Sequence, residues 1–398
     1  MVTLFFISFN IIIKKPKPRN MNSKLPHLAT TIFTVMSKLA NENGAINLAQ
    51  GFPDFDPHSS LIESLNYFSY QNYNQYAPMI GVEKLRNFIS SKIEKSHQAI
   101  YHPEKEITIT NGASQAIFTA IASIIEKDDE VIIFEPAYDL YQPTVEIFGG
   151  IVKPIQLKYP DYTIDFDELK NKITEKTKLI IFNNPNNPTG KILTKDDLIK
   201  IEQIVSTTNC YILSDEVYEH MTFDEKEHQS FARLKSLKDR TFITASFGKL
   251  CHVTGWKVGY ILAGEELMKE FRKVHQFNVF SVHTPSQHAI ANYLDDDSNY
   301  LELNHFFQRK RDYFVEGLSS TKFEMIPAQG TYFVSANYKN YSTESDQSFA
   351  EKLTIENKVA TIPFSAFYHD KLDENVIRFC FAKKRETLDA ALEKLNKL

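Results

Sequence analysis

A chain of 398 residues, 42% hydrophobic and 24% charged, can bury a large core and divide into two domains. Its formal net charge of −5 carries no basic excess, so nucleic-acid binding has no electrostatic support. The three cysteines, Cys210, Cys251 and Cys380, are far apart without C-x-x-C spacing. Neither a disulfide framework nor a zinc site is expected, and the composition fits a reducing cytoplasm.

The chain opens with "MVTLFFISFNIII", an apolar run short of the roughly 20 residues that span a bilayer. Its basic cluster, "KKPKPR", follows that run, the reverse of a secretory signal. A fresh start begins at Met21. Residues 1–20 therefore read as a disordered upstream extension; a short targeting or membrane-contact segment is the alternative. Residues 21–50 read as an N-terminal arm and part of a small domain. From about residue 105, β-branched runs alternate with helical patterns: "EITIT" before "ASQAIFTAIASIIE", "EVIIF" before "YDLYQPTVEIF", and "KLIIFNN" before "TKDDLIKIEQIV". "CYILSDEV", "TFITASF" and "VGYILAG" follow. Continuous apolar strands separated by helices predict an α/β large domain over 51–295, with a mostly parallel sheet covered on both faces. Residues 296–398 carry "KFEMI", "GTYFVSANY", "NVIRFCFA" and a closing amphipathic helix, and predict a smaller α+β domain.

In an open parallel sheet, ligands sit at the carboxyl ends of the strands. "EITIT" ends in "NGASQA", a glycine turn entering a helix, which is a natural phosphate site or simply a turn. "IIF" ends in "NNPNNPTG", which by itself also reads as a helix-entry loop. "CYIL" ends in "SDEVY" and puts Asp215 at a buried strand edge, where a carboxylate needs a partner; a helix cap or structural ion pair is the bland alternative. "TFITASF" ends in "GK", which places Lys249 on the same rim, where a solvated lysine is the common occupant. Together the four ends combine a phosphate turn, an amide, a buried acid and a lysine. A lysine amine can form a Schiff base with an aldehyde, and a carboxylate beside a pyridine nitrogen keeps that ring an electron sink. Pyridoxal phosphate needs all four features.

The run "SFGKLCHVTGWKVGY" resembles the cofactor-lysine signature of the class I/II aminotransferases of fold type I. With "AQGFPDF", "NQYAPMIGVEKLR", "EPAYDLY", "NNPNNPTG" and "LSDEVYE", the chain is most similar to the methionine and kynurenine/glutamine aminotransferase branch, from about residue 25 to 385. The resemblance implies pyridoxal 5′-phosphate held covalently by Lys249, whose freed amine then shuttles the substrate proton. It implies Asp215 at the pyridine nitrogen, Asn187 and Tyr218 at the cofactor's phenolic oxygen, and Tyr138 stacked on the ring. The phosphate falls to Ala113, Ser114, Ser246 and Lys257, with Tyr76 reaching it from the neighbouring subunit of a homodimer. The substrate carboxylate falls to Arg378, with Gly51 and Asn187 completing that site. Phe280 and His283 are candidates for a side-chain pocket lent by the partner subunit.

Two departures stand out. Lysine at 257 replaces the arginine usual in the wider superfamily, and Ala113 replaces a second glycine. The expected reaction is transfer of an amino group from an L-amino acid of methionine, aromatic, glutamine or kynurenine type to a 2-oxo acid. A cysteine-conjugate β-lyase of the same fold is the alternative. An aminotransferase-like regulator is more remote, since the stretch before Met21 is too short for a DNA-binding domain. A nicotinamide dehydrogenase lacks its G-x-G-x-x-G. No metal and no membrane partner are expected.

Overall fold

The computed structural model describes residues 22–398. The expected extension over 1–20 lies outside the described residues. The strands in chain order are β1 (Ile46–Asn47), β2 (Ile107–Thr110), β3 (Glu130–Glu135), β4 (Ile151–Gln156), β5 (Thr177–Asn183), β6 (Tyr211–Asp215) and β7 (Thr241–Ser246). They continue with β8 (Gly259–Leu262), β9 (Glu324–Ile326), β10 (Phe333–Asn337), β11 (Val359–Ala360), β12 (Ile362–Pro363) and β13 (Val376–Cys380).

Seven strands form the large sheet in the order β2-β8-β7-β6-β5-β3-β4. All run parallel except β8, which pairs antiparallel with both β2 and β7. The reversal follows from its short connection: residues 247–258 hold only a helical turn and a 3-10 turn, without a crossover helix to return the chain to the other edge. The apolar runs are explained by burial on both faces. Along β5, Leu179 and Ile181 join one core layer while Ile180 and Phe182 join the other. Helices Gly112–Ile124, Tyr141–Ile147 and Glu265–Asn278 cover the first layer. Helix Lys195–Ser206, held at its start by a Thr194–Asp197 capping box, contributes Leu198, Ile201 and Val205 to the second.

The second layer also contains a buried polar knot. Lys92 donates to Glu219 and, at 2.7 Å, to the Tyr260 hydroxyl, tying helix Glu83–His97 to the segment after β6. Nearby, Glu216 accepts from the Phe231 amide and pairs with His228 at 2.9 Å. Burial holds the neighbouring His97 and His220 well below the ordinary imidazole range, so both stay neutral and Lys92 keeps Glu219 ionised.

The smaller sheet is antiparallel, in the order β12-β13-β10-β9, and β1 pairs parallel with β11. Helix Ile32–Glu42 packs on helix Asp346–Ile355. The start of the described chain and its last hundred residues thus build one unit, which faces the carboxyl ends of the large sheet. Glu135, at the end of β3, latches the two: its carboxylate accepts from the His369 amide at 3.0 Å and meets His369 Nδ1 at 2.8 Å.

Candidate active site

Between the two units lies a cavity of about 330 Å³. Every large-domain candidate within this chain's reach lines it: Ala113, Ser114, Tyr138, Asn187, Asp215, Tyr218, Ser246, Lys249 and Lys257. Gly51 and Arg378 close it from the other side.

One end is an anion cradle. Helix Gly112–Ile124 begins at the rim, and its N-cap, Asn111, makes no side-chain capping bond, so the first-turn amides of Ala113 and Ser114 keep their donors. The chain passes into the helix through Gly112 at φ +73°, and a Cβ there would sit 3.3 Å from the Lys257 Nζ. The ammonium is thus held against the helix start. Lys257 itself takes φ 53°, which turns its side chain back from the 3-10 turn Thr254–Trp256. Gly259 is required by contact: a Cβ would lie 2.7 Å from the Ala245 carbonyl oxygen and 2.9 Å from the Ala113 nitrogen. Ala113 leaves this approach intact.

Asp215 ends β6 and is 3% exposed. Tyr141 donates to its Oδ2 at 2.7 Å, and the Val217 amide to Oδ1 at 3.3 Å. Burial pushes the carboxyl up to about 6, against those two hydrogen bonds and the Lys249 charge. Such an acid lacks a close cation and has acceptor capacity on Oδ1. Tyr138 stands beside Tyr141 edge to face, with ring centroids 5.8 Å apart, and burial raises its phenol to about 12. Asn183 was not anticipated from sequence. Its amide donates to the Asp215 carbonyl at 2.9 Å and its oxygen accepts from the Asn187 amide at 2.7 Å, so it locks β5, β6 and the Asn-Pro loop together.

Lys249 sits in the helical turn Phe247–Leu250 just beyond β7. Burial, with the Arg378 and Lys257 charges nearby, lowers its ammonium to about 8. Its Nζ donates to the Gly51 carbonyl at 3.0 Å and to the Tyr332 hydroxyl at 2.6 Å. Tyr332 is another residue the sequence did not flag. It is fully buried, packs edge to face on Tyr218 at 5.2 Å, and donates its own proton to the Gly51 carbonyl at 2.6 Å.

Arg378 lies in the middle of β13 and is fully buried. Its hydrogen bonds go to neutral acceptors, the Asn187 side-chain oxygen at 2.6 Å and the Ala49 carbonyl at 3.1 Å. Its Nε has no partner, and the guanidinium lies 3.8 Å above the Phe333 ring. Burial brings it down to about 10, still a cation at neutral pH. A desolvated cation with a free donor is set to receive a carboxylate. Because Asn187 commits its oxygen to Arg378, its NH₂ remains as the donor toward the cavity. Phe33 lines the same end and was also missed: it lies in "TTIFTV", where nothing local distinguishes it from a core position.

Three candidates are not brought to the cavity within this chain. Tyr76 is 84% exposed and stacks edge to face on Phe280, with centroids 5.6 Å apart. His283 instead bonds the Ser286 hydroxyl at 2.8 Å at the start of helix Thr284–Tyr293. Away from the cavity, Glu135, His369 and Asp370 bring possible metal-ligand atoms within 4.8 Å of one another, but Glu135 already serves as the latch.

Residues 43–395 match the family of class I and II aminotransferases. A methionine aminotransferase of Escherichia coli (strain K12) is 43% identical over 377 residues, 94% of this chain and 98% of that protein. A kynurenine–oxoglutarate transaminase of Dictyostelium discoideum is 35% identical, over 92% of this chain and 94% of the relative. Among solved structures, an Escherichia coli protein identified as having a methionine aminotransferase function superposes with a TM-score of 0.94 at 43% identity, covering 96% of this chain and all of that one.

Proposed function

Since this chain belongs to the class I and II aminotransferases, and is a transaminase, we propose that its cavity holds pyridoxal 5′-phosphate and accepts amino donors of methionine, aromatic, glutamine or kynurenine type. The observation that carries this reading is the alignment along one cavity of an anion cradle, a lysine lowered to about 8, a buried acid raised to about 6 and an arginine with an unpaired Nε. The residues fit the group. Ala113, Ser114, Ser246 and Lys257 would hold the phosphate, Asp215 the pyridine nitrogen, Asn187 and Tyr218 the phenolic oxygen, and Lys249 the aldehyde carbon. When bound, the cofactor supplies an electron sink for the pair left at the substrate's α-carbon.

The chain's own groups do the rest. Arg378 orients the donor by its carboxylate, so that the α-hydrogen faces Lys249. The Lys249 amine, neutral in appreciable fraction near pH 8, takes that proton and later returns it. Tyr141 fixes Asp215, and Asn183 fixes Asn187 against it. Among the described residues, Arg378 is the one arginine lining the cavity, and Phe33 and Phe333 flank it, which favours apolar and aromatic side chains over acidic ones.

A homodimer completes the site in this reading. Tyr70, Tyr76 and Phe277 are each more than four-fifths exposed, and such aromatic surface is expected to be covered. Tyr76 would then reach the neighbouring phosphate, and Phe280 and His283 the neighbouring substrate pocket. No helix among the described residues is long and apolar enough to cross a membrane, and the free, buried cysteines suit a reducing cytoplasm.

The test is the absorbance of the purified protein. A band between about 360 and 430 nm that shifts on adding methionine and is lost in Lys249→Ala supports the reading. Protein that stays colourless after incubation with pyridoxal phosphate ends it.

A further inference from the structure

We propose that Tyr332 and the Gly51 carbonyl form an orienting cradle for the Lys249 amine, and that Tyr332 is thereby a positioning residue for the proton transfer. The proposal rests on the reading of Lys249 as the proton-carrying amine given above.

The Tyr332 hydroxyl has a single proton, and the Gly51 carbonyl, 2.6 Å away, can only accept. The hydroxyl proton is therefore committed, and the oxygen's lone pairs are what face Lys249 at 2.6 Å. Gly51 takes a second bond from the same amine at 3.0 Å. A neutral amine has two N–H bonds and one lone pair. With both N–H bonds held by these two oxygens, the lone pair has one direction left. Gly51 and Lys249 line the cavity, whereas Tyr332 stands behind its wall, fully buried. The remaining direction is the open cavity, where Arg378 holds the donor. In the transfer, the C–H bond at the donor's α-carbon breaks, an N–H bond forms on Nζ, and the electron pair stays with the carbon skeleton and its electron sink. The resulting ammonium keeps its two hydrogen bonds and presents its third proton along the same line for return. Without Tyr332 the amine could rotate about its terminal bond, and the lone pair would be aimed only part of the time.

Tyr332 is itself held with unusual firmness. Its ring is packed by Tyr218, Phe307 and Phe333. The residue before it, Thr331, takes φ 69°, a left-handed conformation that β-branched residues rarely adopt. That conformation is tied down by the Thr331 amide bonding the Met221 carbonyl at 2.9 Å and by Thr331 Oγ1 accepting from the Phe333 amide at 3.1 Å. Backbone strain of this kind persists only where the surroundings impose it. Here it fixes the residue whose hydroxyl touches the reactive amine.

Tyr332→Phe removes the acceptor and keeps the ring, so packing is preserved. Two measurements test the cradle. In the cofactor-free full-length protein, trace acetylation of Lys249 followed by mass spectrometry across pH gives the amine's titration midpoint. Losing an acceptor that favours the ammonium should lower that midpoint by about one pH unit. In the holoenzyme, kcat for methionine should fall roughly tenfold with KM little changed, and the isotope effect on α-deuterated methionine should rise as proton transfer becomes limiting. Tyr332→Met, which also removes the hydroxyl, should lower the midpoint by a similar amount and carries the same test should the phenylalanine variant fold poorly. An unchanged midpoint in Tyr332→Phe, or an unchanged isotope effect, overturns the proposal. Because acetylation is read without cofactor, its result stands apart from the spectral test of the cofactor reading.

Discussion

The large domain delivers its cavity groups from the ends of strands, whereas the small domain delivers Arg378 from inside one. Asp215, Ser246 and Lys249 lie at or just past the carboxyl ends of β6 and β7, where side chains leave the ladder and project into open space. Arg378 is paired on both sides, opposite Ser335 in β10 and Ile362 in β12, and its guanidinium reaches the cavity while wholly desolvated. The strand-end groups can titrate and exchange partners. The mid-strand arginine is a fixed charge whose remaining demand is an anion. In the proposed reading, covalent chemistry sits on one side of the cavity and substrate recognition on the other.

Four comparisons test that division, in descending order of expected effect. Lys249→Ala should reduce kcat/KM for methionine by at least about 10³-fold, since on the proposed reading it removes both the covalent anchor and the proton carrier; oxo-acid formation checks it. A residual activity within tenfold of wild type would move the chemistry away from this rim. Arg378→Leu should reduce kcat/KM by about 10²–10³-fold, mostly through KM, while the cofactor band survives. Equal loss of bound cofactor would mean that recognition and chemistry are not separately housed.

The third comparison lies within the large domain. Lys257→Arg should keep bound cofactor and activity within about tenfold, because a fixed cation still faces the helix start, whereas Lys249→Arg should abolish transamination. If the two arginine variants behaved alike in spectrum and turnover, the two lysines would not have distinct duties.

The smallest effect concerns stability. The Asp215 carboxyl is raised to about 6 in the folded chain from an ordinary 3.8. Between those values the native state binds more protons than the unfolded one, so stability falls as pH rises through 6. Asp215→Asn should therefore stabilise the cofactor-free protein at pH 7.5, by up to about 3 kcal/mol, and the gain should vanish near pH 4. Thermal melts at the two pH values decide it; a gain independent of pH would assign the effect to something other than the carboxylate. Turnover by the loaded variant should fall, since an amide cannot hold a protonated pyridine nitrogen as a carboxylate does.

The same division explains what could be read beforehand. Strand-end residues sit beside turn formers in contiguous motifs, so "SDEVY", "NNPNNPTG" and "SFGK" expose Asp215, Asn187 and Lys249 to inspection. The parallel character of the sheet was legible in its uninterrupted apolar runs. The reversed direction of β8 was not, because "VGYILAG" reads the same in either orientation. Tyr332 and Asn183 were hidden for a related reason. "GTYFVSANY" looks like any buried strand, and only the fold brings its tyrosine against a lysine 83 positions earlier in the chain. Asn183 looked like part of a loop whose asparagines make turns, yet it bonds Asp215 and Asn187 at once.

The connection from β7 to β8 has one further consequence. Its two ends are pinned, because Ser246 and Gly259 face each other in the antiparallel ladder. Lys249 and Lys257 both stand on that single clamped segment, one in a helical turn and the other in a left-handed corner. The span between the backbone positions of the two lysines is therefore set by the ladder, as in a caliper. A caliper measures its object. An aromatic aldehyde without an anionic tail of matching reach would engage the first lysine and leave the second, with the bare helix start beside it, unanswered. On the proposed reading, the fold would gauge the length of what it accepts before any chemistry begins.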